Sequence, residues 1–353
     1  MPNVYPILKQ VKPKLTTAMK SIILIGLALL STGFLYRFLC NQRVTGLRFT
    51  SVVAKEGYTV EWRVINAAEY GYQQRRRRTF IFAYKNNTKY AERILNTIGY
   101  TDTLEEEHKK ECMENAVLKE GFFAETFPVN KAESAKMKIK ELLVEVGEVS
   151  ETFQCAFENS GIMKDGTIYT MKTVPNYHGK QITLGDVMET GAVEEQYFIP
   201  EEKLYYTDPA VTHSDETEQR LPKEDRQIWQ YLKGAKKLLR TSSTGHEYVF
   251  SEGAISMIDQ EDKPARTMLT SEDGFSRTTH IVKDKMTGRV RLLTATEAER
   301  IQEFPTDHTK YCLVKGEAVE MPLRKRRFMM GNALVVNLVA DMEKTLDKIF
   351  DCE

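Results

Sequence analysis

The sequence predicts an α/β protein from the order of its strand-like and helix-like segments. Residues 58–65 and 79–84 are rich in β-branched and aromatic residues and are typical of neighbouring strands. Residues 88–150 are acidic and lysine-rich, with charges at helical spacing that indicate solvated helices. Residues 151–285 alternate turn residues with short apolar runs, which indicates loops and strands. Apolar residues at helical spacing over 334–349 predict an amphipathic final helix.

Composition limits the size of the core and the number of domains but does not identify a partner. Its 353 residues, 41% of them hydrophobic, are enough for a sizeable core and for two domains. The net charge is zero, but residues 1–78 hold 13 Lys and Arg against 3 Asp and Glu, a local charge of +10. The five cysteines are dispersed without Cys-x-x-Cys spacing, which favours reduced thiols and a cytoplasmic location.

The N-terminal segment, 1–45, differs in character from the rest. Residues 21–36 carry no charge, lysines precede them and Arg37 follows. With extension to residue 39 the stretch approaches the roughly 20 residues of a membrane-spanning helix. The basic lead-in also resembles a signal sequence, although no clear small-x-small cleavage site follows. Membrane association, a buried core helix, and a segment foreign to the domain all remain open.

Four consecutive arginines, residues 75–78, stand between the two predicted strands. Such a run is commonly a solvated charge cluster or a loose nucleic-acid patch. A strand-to-strand connection would instead fix the guanidinium groups as forked donors for a phosphate or a base edge. Both interpretations remain open on the residues alone.

The C-terminal region contains a helix with explicit start and stop signals. Thr294 and Glu297 have the spacing of a capping box, in which each side chain bonds the other residue's backbone N–H. Pro305 ends the pattern, because proline cannot continue a helix.

Three separated segments form a family pattern when taken together. Residues 66–78 contain Asn-Ala-x-x-Tyr-Gly followed by Gln-x-Arg-x-Arg at Gln74, Arg76 and Arg78. Residues 291–305 read Arg-x-Leu-x-x-x-Glu-x-x-Arg-x-x-x-Phe-Pro, and Gly-Asn-Ala follows at 331–333. In this order, separated by a long insert, the segments resemble the DNA (cytosine-5) methyltransferase family over residues 46–353.

The resemblance implies a partial class I (Rossmann-like) S-adenosylmethionine-dependent methyltransferase fold plus a loop-rich α+β target-recognition domain. Residues 46–89 would be the C-terminal part of the catalytic sheet, and 90–285 the target-recognition region. Residues 286–353 would return to the catalytic domain. The two predicted strands would then lie at the edge of a sheet whose central parallel strands are absent from this chain.

The resemblance also implies the reaction, methyl transfer from S-adenosylmethionine to C5 of cytosine in duplex DNA, within restriction–modification. In the family, a cysteine thiolate attacks C6 of a base flipped out of the stack. Gln74, Arg76 and Arg78 would help to hold the flipped cytosine and the catalytic loop, with Arg78 at the base or its supporting glutamate. Arg75 and Arg77 occupy non-motif positions and are expected to face solvent or phosphate.

Further roles follow from the same resemblance. The block Asn332, Ala333 and Leu334 would contribute to the S-adenosylmethionine pocket. Arg291 and Glu297 are expected to be structural, as a buried pair at the interface with the target-recognition region.

Candidate DNA contacts lie late in the insert. Residues 229–240 carry four cations that suit phosphates: Lys233, Lys236, Lys237 and Arg240. An exposed helix with ordinary basic residues explains the same stretch equally well. Thr267 is expected near DNA by resemblance, whereas His280 is expected to be packed or on the surface and not catalytic.

The chain also departs from the family pattern. It has no Phe-x-Gly-x-Gly turn, no proline followed by cysteine and no Glu-Asn-Val. We therefore expect a truncated gene product, inactive alone, in which 1–45 come from another reading frame or a fusion. A complementary N-terminal polypeptide would supply the missing residues. The alternative is a non-catalytic, membrane-tethered module that binds duplex DNA.

Overall fold

The structure is a computed structural model, and its described residues are 22–26, 54–141, 157–206, 221, 223–272 and 274–353. Most of segment 1–45, and with it most of the predicted membrane segment, lies outside them. The exception is Ile22–Gly26, which is a strand and not a helix. Across the described ranges, every helix is too short or too polar to cross a membrane.

The strands are β1 Ile22–Gly26, β2 Tyr58–Asn66, β3 Arg77–Lys85, β4 Lys138–Glu141, β5 Ser160–Lys164, β6 Thr167–Met171, β7 Lys236–Thr241, β8 Glu247–Glu252, β9 Ile281–Lys283, β10 Val290–Leu292, β11 Tyr311–Val314 and β12 Glu317–Glu320. The helices are α1 Lys89–Ile98, α2 Glu106–Asn115, α3 Phe122–Thr126, α4 Leu184–Val187, α5 Trp229–Lys233, α6 Ala295–Ile301, α7 Leu323–Asn332 and α8 Val336–Cys352. A π-helical turn, Ala116–Glu120, joins α2 to α3.

One six-stranded sheet organises the first half of the chain, in the order β1-β3-β2-β5-β6-β4. All of its described pairings are antiparallel. The arginine-flanking strands β2 and β3 therefore lie inside a sheet and not at its edge, which corrects the sequence prediction. The reason is that β5, from the predicted insert, pairs with β2 from Val60↔Met163 to Arg63↔Ser160.

The helices cover one face of this sheet and form the first core. Phe82 of β3 stacks on Phe122 of α3 with ring centroids 4.2 Å apart, and Leu338 and Ile349 of α8 complete the same cluster. Helix α1 begins where the Thr88 side chain accepts a hydrogen bond from the Ala91 N–H. This core contains residues on both sides of position 90.

A second core lies around α4, α6 and α7 and includes Met268, Ile301 and Met330. The predicted capping box is present, because Thr294 and Glu297 each accept the other's backbone N–H. Helix α6 ends at Ile301, before Pro305. The predicted final helix is also present as α8, which begins two residues later than expected.

The basic stretch 229–240 is not one helix. Helix α5 ends at Lys233, Gly234 follows in an extended conformation, and β7 begins at Lys236. Among the strands that the structure describes, β7 pairs only with β8, in a two-stranded hairpin. This hairpin leaves Leu239 and Val249 half exposed.

Candidate functional site

The Gln-x-Arg-x-Arg segment enters β3 from a tight turn. Gly71 has φ +90°, a conformation that favours glycine, and a Cβ there would lie 2.3 Å from the hydroxyl of the exposed Tyr177 ring, which would have to shift. The Ala67 N–H donates to the Arg76 carbonyl at 3.1 Å and closes the turn. Alternation along the extended chain then buries Gln74 and Arg76 and exposes Arg75 and Arg77.

Gln74 is fully buried and joins two distant segments. Its Oε1 accepts a hydrogen bond from the Met268 N–H at 2.9 Å, and its Nε2 lies 3.5 Å from the Ile301 carbonyl. The backbone adds a short parallel bridge, in which the Arg75 N–H donates to the Ala265 carbonyl at 2.8 Å. Gln74 therefore fixes the arginine segment against the end of the predicted recognition region and against α6.

Arg76 is 2% exposed and holds two more segments together. Its Nη1 donates to the Met268 carbonyl at 2.8 Å, and its Nη2 donates to the Gly331 carbonyl at 2.9 Å. Burial, with a smaller contribution from the neighbouring Arg78 charge, lowers the pKa of Arg76 to about 9. The guanidinium thus stays charged at neutral pH, held by carbonyl oxygens.

Arg78 is less enclosed than Arg76. It is half-buried, and its Nη1 donates to the Arg77 carbonyl at 2.9 Å. Burial lowers the pKa of Arg78. Since the remaining guanidinium nitrogens are not engaged by any described residue, Arg78 is the motif cation with donors left for another group.

The Gly331–Asn332–Ala333 block ends α7. A Cβ on Gly331 would lie 2.4 Å from the carbonyl carbon and oxygen of Leu269, so the helix contacts that backbone directly. Asn332 is half-buried, and its amide hydrogen-bonds no described residue. Leu334 packs against the first core and Ala333 against the second. Asn332 has the one polar side chain of Asn332, Ala333 and Leu334, so this block alone does not supply the polar contacts that the nucleoside and amino-acid parts of S-adenosylmethionine need.

Arg291 and Glu297 form the predicted buried pair. Both are 0% exposed. The guanidinium donates two hydrogen bonds to the carboxylate, from Nη1 to Oε2 at 2.8 Å and from Nη2 to Oε1 at 2.7 Å. Asp284 accepts from Arg291 Nε at 3.1 Å, and Glu297 also accepts the Glu189 N–H at 2.8 Å. The pair links α6 to β9–β10 and to the segment after α4, as the structural interpretation expects.

The four candidate phosphate contacts separate into two groups. Lys233 is buried, donates to the Thr279 carbonyl, and has its pKa lowered to about 8, chiefly by burial. Lys236 is also buried and pairs with Glu252 at 3.1 Å. Neither ammonium is presented at the surface. Lys237 and Arg240 are exposed on β7, where the two-stranded hairpin displays them.

Thr267 and His280 each have a side-chain hydrogen-bond partner among the described residues. Thr267 is half-buried and donates its hydroxyl to the Arg75 carbonyl. His280 is fully buried, with Nδ1 2.9 Å from a Glu272 oxygen, which confirms that it is packed.

The sequence interpretation missed the buried charges of β2. Arg63 donates to the carbonyls of Val117, Phe123 and Phe127, and Glu61 accepts the Phe122 N–H at 2.9 Å. These two side chains point to the helix-covered face because they are two residues apart in a strand. The sequence held a signal for them, since Glu61 and Arg63 alternate with the apolar residues of a predicted strand. The structure shows that this strand is buried on both faces.

Comparisons with known proteins agree with the family that the three sequence motifs resemble. The family model described as C-5 cytosine-specific DNA methylase matches residues 41–348. The chain is 37% identical over 300 residues to the Type II methyltransferase M.Sau3AI of Staphylococcus aureus, covering 85% of this chain. It spans 61% of that relative's length.

Two solved methyltransferase structures are similar at low identity. EhMeth of Entamoeba histolytica is 10% identical with a TM-score of 0.36, covering 84% of this chain and 55% of that one. Dnmt2 of S. pombe is 11% identical with a TM-score of 0.39, covering 93% of this chain and 68% of that one.

Proposed function

Because the chain belongs to the C-5 cytosine-specific DNA methylase family, we propose that it provides the C-terminal part of a DNA cytosine-5 methyltransferase. The family takes its methyl group from S-adenosylmethionine. The observation that supports this proposal most is the position of Gln74 and Arg76. They hydrogen-bond Ile301 and Gly331, which belong to the other two family segments, and Met268 at the end of the predicted recognition region.

Within this function, Gln74 and Arg76 are positioning residues and Arg78 is the one that reaches the base or its supporting glutamate. The Nη atoms of Arg76 donate to carbonyl oxygens of two distant segments, so its role in this proposal is to align those segments. Arg78 has donors that no described residue engages, and a guanidinium suits a cytosine edge or a carboxylate. The neighbouring Arg76 charge favours any anion that Arg78 binds.

In this proposal the nucleophile comes from outside these 353 residues, since none of their prolines is followed by cysteine. It would be supplied by a further segment or by a complementary polypeptide. Asn332, Ala333 and Leu334 would then form one wall of the S-adenosylmethionine pocket, and the cofactor would supply the methyl group when bound. This chain's own contribution is to hold the flipped base and the target strand.

Duplex DNA is the proposed substrate, and restriction–modification in the cytoplasm is the proposed setting. Lys237 and Arg240, exposed on β7, would contact phosphates beside the target sequence. Thr267 would lie near the same strand. The missing Pro-Cys and Glu-Asn-Val segments favour one alternative, a non-catalytic DNA-binding module.

Methyl transfer from tritiated S-adenosylmethionine to duplex DNA tests the proposal. The chain is assayed alone and with a polypeptide that carries the family's Pro-Cys and Glu-Asn-Val segments. We expect incorporation only in the mixture, and a loss of about 100-fold or more for Arg78→Ala because a positioned charge is removed. Arg77→Ala is the matched control, since Arg77 is exposed. DNA binding without incorporation in any mixture would favour the non-catalytic module.

A further inference from the structure

A cavity of about 310 Å³ lies beside the Gly71 turn that leads into the arginine motif. Its other walls come from the end of α3, the segment 177–182, the residues after α6 and the second turn of α8. Every residue that lines it belongs to the described ranges. Two of these residues are the carboxylates Glu303 and Asp341, and three are tyrosines. The cavity thus combines acids with aromatic rings.

Glu303 has no cationic partner among the described residues. Its Oε2 accepts the Asn337 N–H at 3.1 Å, and the Gln73 and Asn337 side chains also hydrogen-bond it. Burial raises the pKa of Glu303; these hydrogen bonds oppose the rise, and the nearby Asp341 charge adds to it. Gln73 is 9% exposed, and its Oε1 accepts no hydrogen bond from a described residue. The group around Glu303 therefore holds more acceptors than donors.

Glu303 also stands where the backbone favours glycine. Its φ is +63°, in the left-handed region, just after the end of α6. The Glu303 N–H donates to the Arg300 carbonyl and the Phe304 N–H to the Glu299 carbonyl, both at 2.9 Å, in a helix-end turn that glycine usually occupies. Because this conformation is unfavourable for a residue with a Cβ, the helix end by itself does not explain a glutamate here.

Tyrosine rings line the cavity beside the acids. Tyr177 is 41% exposed, yet it packs closely, because a Cβ on Gly71 or on Gly179 would lie 2.3 Å from its hydroxyl oxygen. The Tyr72 hydroxyl donates to Asp341 Oδ2 at 2.6 Å. The face of a tyrosine ring attracts a cation. The rings and the carboxylates therefore favour the same kind of ligand.

The cations near the cavity leave Glu303 to a ligand. Lys180 is the one cation among the lining residues, all of which the structure describes. Its side chain is exposed and pairs with neither carboxylate. Asp341 instead pairs with Lys344 at 2.7 Å, through a lysine whose side chain is 74% exposed. Glu303 is thus the lining carboxylate that an incoming cation can pair with.

We propose that this cavity binds an organic cation, an alkylammonium or guanidinium group, which donates to Glu303 and lays its apolar part against the rings of Tyr72 and Tyr177. An ammonium has three donors and a guanidinium five, so either can meet several acceptors at once. A free polyamine and a lysine or arginine side chain of another polypeptide both present this chemistry. The proposal goes beyond methyl transfer and does not require it, because all the walls of the cavity belong to this chain.

Isothermal titration calorimetry of the chain alone tests the proposal with three probes: spermidine, Nα-acetyl-lysine methylamide and Nα-acetyl-arginine methylamide. Glu303→Gln should weaken binding about tenfold or more, because a charged hydrogen bond is lost. Glu317→Gln, at an exposed site outside the cavity, should leave the affinity unchanged. Glu303→Gly should also lose affinity but remain folded, because φ +63° suits glycine, and urea midpoints check the folding of both variants.

A second set of variants tests the aromatic wall. Tyr177→Leu should weaken binding about threefold to fivefold, because a ring face is lost. Tyr177→Phe keeps the ring and should keep the affinity. Tyr311→Leu is the matched control, since Tyr311 is 61% exposed and does not line the cavity.

The rim cation Lys180 supplies a further test. Lys180→Ala should tighten binding about twofold or more, because a like charge leaves the rim. Binding seen only in Lys180→Ala would mean that Lys180 itself fills the native cavity, and it would overturn the proposal. Full displacement of spermidine by excess magnesium chloride would also overturn it, because an inorganic cation does not need the rings.

The three probes identify the source of the cation. Spermidine binding about tenfold tighter than either capped amino acid would support a free polyamine. Capped lysine or arginine binding as tightly as spermidine would support a side chain of another polypeptide. No binding of any probe, or equal binding to wild type and Glu303→Gln, would overturn the site. None of these results depends on methyl transfer, so the proposed function is tested separately.

Discussion

The Arg76 guanidinium donates a 2.9 Å hydrogen bond to the backbone carbonyl of Gly331, 255 residues further along the chain. The same guanidinium donates to the Met268 carbonyl at 2.8 Å. Two segments that are far apart in sequence thereby meet at one planar, forked donor. A lysine cannot replace it, because an ammonium is a point charge without the planar fork.

Arg76→Met should destabilise the protein by about 3 kcal/mol, because two buried carbonyls lose a charged donor. Arg76→Lys should cost less, since one of the two hydrogen bonds can re-form. The measurement is the free energy of unfolding from urea denaturation. Arg75→Met is the control, because the Arg75 side chain is exposed and its backbone contacts survive. Equal stability of the Arg76 and Arg75 variants would contradict this assignment.

Gly331→Ala should destabilise the protein by about 2 kcal/mol or more, because its Cβ would overlap the Leu269 carbonyl at 2.4 Å. Backbone atoms cannot move aside as a flexible side chain can, so α7 must shift away from the loop. Gly191→Ala is the control, since nothing lies within 4 Å of a Cβ at that position. Urea midpoints compare the two, and an unchanged midpoint for Gly331→Ala would show that the helix tolerates the shift.

Local signals predicted the local structure well. The capping spacing of Thr294 and Glu297 predicted the start of α6, and the Gln-x-Arg-x-Arg motif spacing separated Arg76 from Arg75 and Arg77. These features depend on residues a few positions apart, so a sequence alone contains them.

Long-range pairing was not predictable in the same way. The pairing of β2 with β5 joins residues about 100 positions apart, and the sequence interpretation therefore placed β2 at a sheet edge. Lys233 and Lys236 were expected on the surface as phosphate contacts, but the change from α5 to β7 at Gly234 turns them inward. The direction of these lysine side chains depends on where the helix ends and the strand begins, and composition does not specify that position.

Breaking the Arg291–Glu297 pair from one side should cost about 3–5 kcal/mol, because an uncompensated charge stays buried. Glu297→Gln should therefore be severe, although the amide still accepts one hydrogen bond. The double variant Arg291→Met/Glu297→Leu should be less destabilised than the sum of the single variants Arg291→Met and Glu297→Leu. A double-mutant cycle in urea measures this coupling. Additive losses would show that the two side chains act separately.

Stability should fall between about pH 4.5 and pH 7 because of Glu61. Burial raises its pKa from 4.5 to about 7, although the Arg63 charge and the Phe122 N–H partly oppose the rise. In this interval the unfolded chain releases the proton while the folded chain keeps it, so the folded state becomes less favourable as pH rises. The full effect is roughly 3 kcal/mol, reached above pH 7.

Glu61→Gln should flatten the pH profile of the free energy of unfolding and leave the variant more stable than wild type at pH 8. Glu120→Gln, at an exposed site, should retain the wild-type profile. A Glu61→Gln profile as steep as that of the wild type would mean that another group titrates in this interval.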